Sequence, residues 1–297
     1  MEDQVSLKFW GTRGLISSPG KEFTRYGGNT QSIQILYRDH LIIIDTGFGI
    51  TNLGEQLIGE ILGKKRQVTA HIFFTHFHWD HIQGLPFFHP IYFPNTTLNL
   101  YSPCSKEATH RNLDLLFDGS YSPFAGIGSM PSTINYHQLQ QGFELDGLRF
   151  EFLQTDHGLQ AIRNTDDYSF AYKLTCTGSG HSTCIATDHE ARPGKLNSAF
   201  IEFARGSHLL VHDAQFNEQE YEKHTGWGHS SSSMALDNAL AIGCDRCLLT
   251  HHAPGRTDEE INFHIEELKS EEKYHNLAFD FAREEEIYKF RLLRKSA

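Results

Sequence analysis

The feature that most constrains this chain is a run of metal-binding side chains directly after a predicted apolar strand. Residues 71–75 predict the strand, and His76, Phe77, His78, Trp79, Asp80 and His81 follow it. Alternate residues of an extended segment point the same way, so His76 and His78 can bind one metal ion. Asp80 and His81 follow where the chain is expected to turn into a helix, beside a second ion. Imidazole suits zinc, and a carboxylate ligand widens the choice towards manganese or iron.

The run has the pattern His-x-His-x-Asp-His, and in this the chain resembles the metallo-β-lactamase superfamily. The resemblance implies an α/β fold, a four-layer αββα sandwich with two divalent ions at the sheet edge. It also implies further ligands, because His157, Asp188 and His251 each follow a predicted strand and match the family's order. The implied ligands are His76, His78, Asp80, His81, His157, Asp188 and His251. Zn²⁺ is the expected metal, with Mn²⁺ as the alternative.

Neighbouring histidines leave some assignments open. The residues around His157 depart from the pattern that is usual for the family's third histidine. The Leu249-Thr-His pattern favours His251 as the ligand. His252 is then expected either to lie behind the ligands or to contact the substrate. His189 adjoins Asp188 and is expected to lie behind the ligands rather than among them.

Downstream motifs resemble the phosphodiesterase branch of the superfamily, which includes tRNase Z. The segments are Leu209–Phe216 and Gly226-Trp-Gly-His-Ser-Ser231, with N-terminal matches at Trp10–Gly14, Tyr26–Thr30 and Asp45–Gly49. In that branch a histidine in the place of His229 contacts the scissile phosphate. A helix start near Ser232 would favour an anion there. The alternative is that His229 belongs only to the helix cap.

The resemblance implies hydrolysis of a phosphodiester with metal-activated water. Asp80 would orient the metals and the water, and His229 would stabilise the developing charge or protonate the leaving oxygen. Arg13 is a candidate substrate clamp, with a structural ion pair as its alternative. A lactone or thioester hydrolase on the same metals is the main rival function. An iron-dependent sensor or oxygen reductase is a further alternative.

Charge narrows the class of substrate. The net charge is −11, with 37 acidic against 26 basic residues, which disfavours an extended nucleic-acid groove. The interval between His157 and Asp188 also leaves no room for the tRNA-binding arm of tRNase Z. Compact members of this branch include cyclic-nucleotide phosphodiesterases, so the resemblance implies a small phosphodiester such as a cyclic nucleotide as the substrate. Compact members of this branch are dimers, so a homodimer is expected.

The remaining expectations concern organisation and location. Residues 1–297 are predicted to form one domain, with an irregular, aromatic-rich insertion at about 85–140 that serves as a lid or a dimer contact. The five cysteines form no regular framework and predict reduced thiols. The N-terminal residues do not resemble a signal peptide, and no apolar stretch approaches the length of a membrane span. We therefore expect a cytoplasmic protein.

Overall fold

Two seven-stranded mixed sheets are formed by the residues that this computed structural model describes, namely 4–64, 67–158 and 168–291. The chain divides into two compact units, and each unit contains one of the sheets. The first unit comprises Met1–Ser17, Asn29–Leu139 and Glu284–Arg291. Among the described residues, the second unit comprises Ser18–Gly28 and the range Gln140–Arg283. The single-domain organisation over 1–297 stays a prediction.

The sheet of the first unit has the strand order β14-β1-β2-β3-β4-β5-β6. Its strands are β1 (Gln4–Gly11), β2 (Ser32–Tyr37), β3 (His40–Ile44), β4 (Val68–Phe73), β5 (Thr96–Ser102), β6 (Thr133–Gln138) and β14 (Ile287–Arg291). β14, β1, β2 and β3 pair antiparallel, and β3 to β6 pair parallel. Its helices are α1 (Ile50–Lys64), α2 (Trp79–Ile82) and α3 (Lys106–Asp114), with 3-10 turns at Leu85–Phe87, His89–Tyr92, Leu115–Phe117 and Ile127–Ser129.

The core of the first unit forms because apolar side chains recur at the spacing that each element needs. Strand β3 carries three consecutive isoleucines that are all buried, as expected for a strand covered on both faces. Helix α1 repeats Leu53, Leu57 and Ile61 at four-residue intervals, and all three pack into the same cluster. This packing holds the end of β4, from which the histidine run departs.

The sheet of the second unit has the strand order β13-β12-β11-β10-β9-β8-β7. Its strands are β7 (Phe143–Leu145), β8 (Leu148–Gln154), β9 (Phe170–Cys176), β10 (Ser182–Ala186), β11 (Leu209–Asp213), β12 (Arg246–Thr250) and β13 (Ala278–Phe281). β7 to β10 pair antiparallel, and β10 to β13 pair parallel. Its helices are α4 (Lys195–Ala204), α5 (Glu218–His224), α6 (Ser232–Ile242) and α7 (Asp258–Ser270), with 3-10 turns at Lys21–Phe23 and Glu272–Tyr274.

The aromatic-rich segment at 85–140 is more regular than its sequence indicates. Strands β5 and β6 lie within it and extend the parallel part of the first sheet. Helix α3 also lies there, and the Ser105 side chain caps it by accepting from the Ala108 backbone N–H. The prolines of the segment lie outside these three elements and therefore interrupt none of them.

Membrane insertion is not indicated by the helices. Within the described part of the chain, none of them combines the length and the apolar character that crossing a bilayer requires.

Candidate metal centre

The four predicted ligands of the first unit form one cluster at the end of β4. The His76 ring centroid lies 4.4 Å from that of His78 and 4.3 Å from that of His81. His81 Nε2 lies 3.4 Å from Asp80 Oδ2. His76, Asp80 and His81 are buried, and His78 is half-buried. The extended segment and the short helix α2 thus bring these side chains together as the sequence predicts.

Asp45, which sequence analysis assigned no role, supports this cluster from behind. Its Oδ2 accepts from His81 Nδ1 at 2.8 Å and from Thr75 Oγ1 at 2.7 Å, and its Oδ1 accepts from the Thr75 backbone N–H at 2.8 Å. Burial raises the pKa of the Asp45 carboxyl, against the lowering effect of His81 and Thr75. Because Thr75 Oγ1 donates to Asp45, it accepts from His76 Nδ1 at 3.1 Å. These supporting contacts use Nδ1 of both His76 and His81, so Nε2 is the nitrogen of each ring that is suited to a metal ion.

The second unit gathers its ligands at the carboxyl ends of parallel strands. β10, β11 and β12 run parallel, and Asp188, Asp213 and His251 lie at or just beyond their ends. One ligand atom from each of Asp188, Asp213, His229 and His251 lies within 4.8 Å of the others. All four residues are buried. Carboxyl ends of neighbouring parallel strands are a common place for such sites.

His157 and His251 are oriented in the same manner as the histidines of the first unit. His157 Nδ1 donates to the Gly228 carbonyl at 2.9 Å, and His251 Nδ1 donates to Gln215 Oε1 at 3.0 Å. Their Nε2 atoms lie 3.6 Å and 3.5 Å from Asp188 Oδ1. Both rings therefore direct the lone pair of Nε2 towards the same carboxylate.

These separations test whether the residues fit a divalent ion. Two ligand atoms bound tetrahedrally at zinc–nitrogen distances lie about 3.4 Å apart. The nitrogen–carboxylate separations are 3.4 Å for His81 with Asp80, and 3.6 Å and 3.5 Å for His157 and His251 with Asp188. A neutral nitrogen lone pair facing a carboxylate at this distance is unfavourable without a cation between them. The donor set of each unit therefore fits a divalent metal.

His229 is paired with a carboxylate that sequence analysis missed. Its Nδ1 donates to Asp213 Oδ2 at 2.8 Å, and Asp213 Oδ1 accepts from the Ser230 backbone N–H at 2.9 Å. The His229 ring stacks on His251 with centroids 4.8 Å apart. The cap of α6 is Ser231, whose side chain accepts from the Met234 N–H, so helix capping does not account for His229. Asp213 ends a predicted strand and lies within the Leu209–Phe216 segment that resembles the phosphodiesterase branch, but neither signal assigned it a role.

Glu190 holds the loop that precedes His229. Its carboxylate accepts from the Gly226 and Gly228 backbone N–H groups at 2.7 Å and 3.0 Å, and from the Tyr221 hydroxyl at 2.9 Å. Gly228 has φ 92°, and a Cβ there would lie 2.6 Å from His157 Nδ1. Only glycine fits this position, because both the conformation and the space exclude a side chain. The Gly-Trp-Gly-His motif thus orients His157 as well as His229.

The two predicted substrate contacts are buried among protein groups. Arg13 has no exposed surface, which favours the structural alternative that its sequence left open. His252 Nε2 donates to the Ala282 carbonyl at 2.9 Å, and its ring packs edge-on against Tyr26. Substrate contact by either residue stays a prediction.

His189 bonds Asn197 Oδ1 through Nε2 at 3.0 Å, and burial lowers its pKa to about 4.

Residues 40–252 match the family described as Beta-lactamase superfamily domain. The chain therefore belongs to the β-lactamase superfamily. Ribonuclease Z of Staphylococcus haemolyticus is 23% identical over 316 residues, which covers 93% of this chain and 97% of the relative. Ribonuclease Z of Brevibacillus brevis is 36% identical over 75 residues, or 25% of this chain. The alignments to the proteins of B. brevis and Gloeothece citriformis span 24% and 26% of those relatives.

Solved structures of this superfamily share the fold. The metallo-β-lactamase fold protein YhfI of Bacillus subtilis gives a TM-score of 0.65 at 17% identity, covering 97% of this chain and 100% of that one. A diphosphatase of the PhnP family gives 0.64 at 19% identity, covering 98% and 100%. Yeast PDE1 gives 0.62 at 16% identity, covering 97% and 99%. The predicted superfamily and its metallo-β-lactamase fold are thus confirmed.

Proposed function

We propose that this chain is a metal-dependent phosphodiesterase that acts on a small phosphodiester, with cyclic nucleotides as the leading substrate class. The observation that carries the proposal is the His229–Asp213 pair, joined at 2.8 Å and stacked beside His251. A superfamily hydrolase of any substrate needs the metal ligands. A carboxylate-paired histidine beside them adds a proton donor and a positive charge, which suit a phosphoryl oxygen.

We further propose that the ligand sets of both units hold two divalent ions, Zn²⁺ first and Mn²⁺ as the alternative. The residues are His76, His78, Asp80, His81, His157, Asp188 and His251. When bound, such ions supply Lewis acidity and activate water at neutral pH. Asp80 and Asp188 contribute negative charge that balances the ions. Asp45, Gln215 and the Gly228 carbonyl keep His81, His251 and His157, respectively, in the tautomer that binds through Nε2.

His229 has the proton-transfer role in this proposal. Asp213 accepts a hydrogen bond from the Nδ1–H group of His229, which orients the ring, and the carboxylate stabilises positive charge on the ring during proton transfer. The proton on Nε2 is then the one available to the leaving oxygen of the substrate. The same positive charge stabilises the negative charge that develops on the phosphate. Asp213 also accepts the backbone N–H groups of Gln215 and Ser230 through its other oxygen, which fixes the position of the carboxylate.

A ribonuclease is the second candidate function. It is supported by the ribonuclease Z relative that aligns along 93% of this chain. The net charge of −11 opposes it, because binding of a long RNA depends on cationic contacts to phosphates. A lactone or thioester hydrolase remains the alternative outside phosphodiester chemistry.

The assay that tests the proposal compares four substrate classes on one metal-loaded preparation. They are 3′,5′-cyclic nucleotides, bis(p-nitrophenyl) phosphate, a precursor tRNA, and a lactone and thioester panel. We expect turnover of the first two, and a loss of about 100-fold or more in kcat for His229→Ala at unchanged metal content. His275→Ala, at an exposed histidine, is the matched control. Turnover of only the RNA or only the esters would contradict the proposal.

We also propose that the chain is a homodimer that uses an apolar groove of the first unit. The groove has a volume of about 940 Å³ and includes Trp79, Phe87, Leu115 and Tyr121, which are all exposed. Exposed apolar patches of this kind often mark interaction sites. Light scattering should show a dimer for the wild type and a monomer for Leu115→Glu with Tyr121→Ser. Phe263→Ser is the matched control, and a monomeric wild type would refute the proposal.

A further inference from the structure

We propose that Glu284 is a positioning residue for the metal ligand Asp80 and acts on it through two N-terminal loops. The loops are the Gly-Gly-Asn-Thr loop, Gly27–Thr30, and the Gly-Thr-Arg-Gly loop, Gly11–Gly14, together with Leu15 and Ile16, which continue it. Neither motif has a role in the proposed reaction so far. The inference rests on the proposed function only in taking Asp80 to be a metal ligand.

The first step joins Glu284 to the Gly-Gly-Asn-Thr loop. Its Oε1 accepts from the Asn29 backbone N–H at 2.6 Å, and its Oε2 accepts from Asn29 Nδ2 at 2.9 Å. One carboxylate thus fixes both the backbone and the side chain of Asn29. Such a two-point contact has a defined geometry that one hydrogen bond lacks.

The second step joins the two loops to each other. The Asn29 carbonyl accepts from the backbone N–H groups of Thr12 and Arg13, at 3.0 Å and 2.9 Å. Gly11 lies so close to Thr30 that a Cβ there would meet the Thr30 carbonyl oxygen at 1.8 Å. The glycine at this point of the motif is therefore needed for the approach of the two backbones.

The third step reaches the metal ligand. Leu15 donates its backbone N–H to Asp80 Oδ2 at 2.7 Å. It does so with φ 64°, a conformation that non-glycine residues rarely adopt. The Leu15 and Ile16 side chains are exposed, so burial of these side chains does not hold this conformation. The loop must be fixed by its preceding residues, which Asn29 and, through it, Glu284 position.

Arg13 completes the arrangement. Burial raises the pKa of Glu284 to about 7, against the lowering effect of the two Asn29 contacts and of the buried Arg13 guanidinium. A buried carboxylate is costly without such a counter-charge. Arg13 thereby receives a role in the Gly-Thr-Arg-Gly motif that requires no substrate. The pair also explains why an arginine in this loop is buried.

Zn²⁺ titration of the metal-free full chain by calorimetry tests the inference. We expect two ions per wild-type chain. Glu284→Gln should bind one of them about 10- to 100-fold more weakly, because glutamine has one accepting oxygen where glutamate has two. Glu260→Gln is the matched control. Glu260 also accepts hydrogen bonds from the backbone N–H and the side chain of one residue, Thr257, at 2.7 Å and 2.9 Å, and Thr257 lies at the start of α7 in the second unit.

A second variant guards against misfolding of Glu284→Gln. Replacing Leu15 with its α-hydroxy acid removes the N–H that bonds Asp80 and leaves every side chain in place, and we expect the same selective loss of one ion. Unchanged affinities in both variants would overturn the inference, as would an equal loss in Glu260→Gln or a wild type that binds no Zn²⁺. Two ions on a wild type that hydrolyses no phosphodiester would defeat the proposed function and leave this inference standing.

Discussion

The ligands of the two units are organised in different ways. In the first unit His76, His78, Asp80 and His81 come from one short segment that runs from the end of β4 into α2. In the second unit the set is assembled from the ends of several strands, and residues distant in sequence support it, as Gly228 supports His157. The first set is therefore built by local geometry and the second by sheet topology. Loss of a supporting contact should affect the two sets differently.

The largest effect is expected from removing one ligand of either set. His76→Ala and His251→Ala should each lower the metal content and reduce kcat by more than the roughly 100-fold that supporting residues cost. Metal analysis by mass spectrometry and phosphodiester turnover are the measurements. Equal loss in both variants supports two sets of equal importance. Full metal content with full activity in either variant would remove that residue from the site.

Replacing the supporting carboxylates should distinguish the two sets more clearly, because one replacement should affect metal affinity and the other kcat. Asp45→Asn should weaken metal binding about 10- to 100-fold, since Asp45 orients His81. Asp213→Asn should lower kcat at saturating metal, because Asp213 pairs with the proton donor His229. Metal titration and kcat measured on the same two variants distinguish these outcomes. If both variants lose metal affinity and neither loses kcat, the His229–Asp213 pair has no role in proton transfer.

The same contrast explains how much the sequence could predict. The contiguous histidine run, the strand before it and the short helix after it depend on local spacing, so they could be predicted. Asp45 and Glu284 could not, because each acts on residues that only the fold brings near. Strand β6 carries few buried side chains and lacks an apolar pattern, so its pairing with β5 was missed. The role of Gly228 could not be predicted either, since the His157 ring that it contacts is remote in sequence.

A smaller effect is expected on the pH dependence of stability, to which one buried histidine in each unit should contribute. Burial, with His40 and His137 nearby, lowers the pKa of His71 to about 4, and burial, with His208, does so for His181. Both groups are neutral when folded but take up a proton when unfolded below the ordinary histidine pKa near 6.5. Stability is therefore lost as pH falls from about 6.5 to about 4.

Urea unfolding at pH 7 and pH 5 measures this loss. His71→Gln and His181→Gln should each reduce the difference in unfolding free energy between the two pH values. A variant that keeps the full wild-type difference shows that the histidine concerned does not contribute. Because neither residue is a proposed ligand, metal content at pH 7 should stay unchanged.

The smallest effect is expected at helix caps. Ser105 caps α3 in the first unit and Thr257 caps α7 in the second. Ser105→Ala and Thr257→Ala should each cost about 1 kcal/mol of stability and leave metal binding unchanged. Denaturant unfolding checks the first part and metal titration the second. A cap variant that loses metal would show that the ligand set of its unit depends on peripheral helices.

Anomalous diffraction from crystals of the zinc-loaded chain tests the central claim most directly. The account predicts two zinc peaks, bound at about 2.0–2.1 Å by Nε2 of His76, His81, His157 and His251 and by oxygens of Asp80 and Asp188. His78 should complete the set, with His229 close by but not bound. Zinc peaks on other residues, or none at these histidines in fully loaded protein, would contradict it.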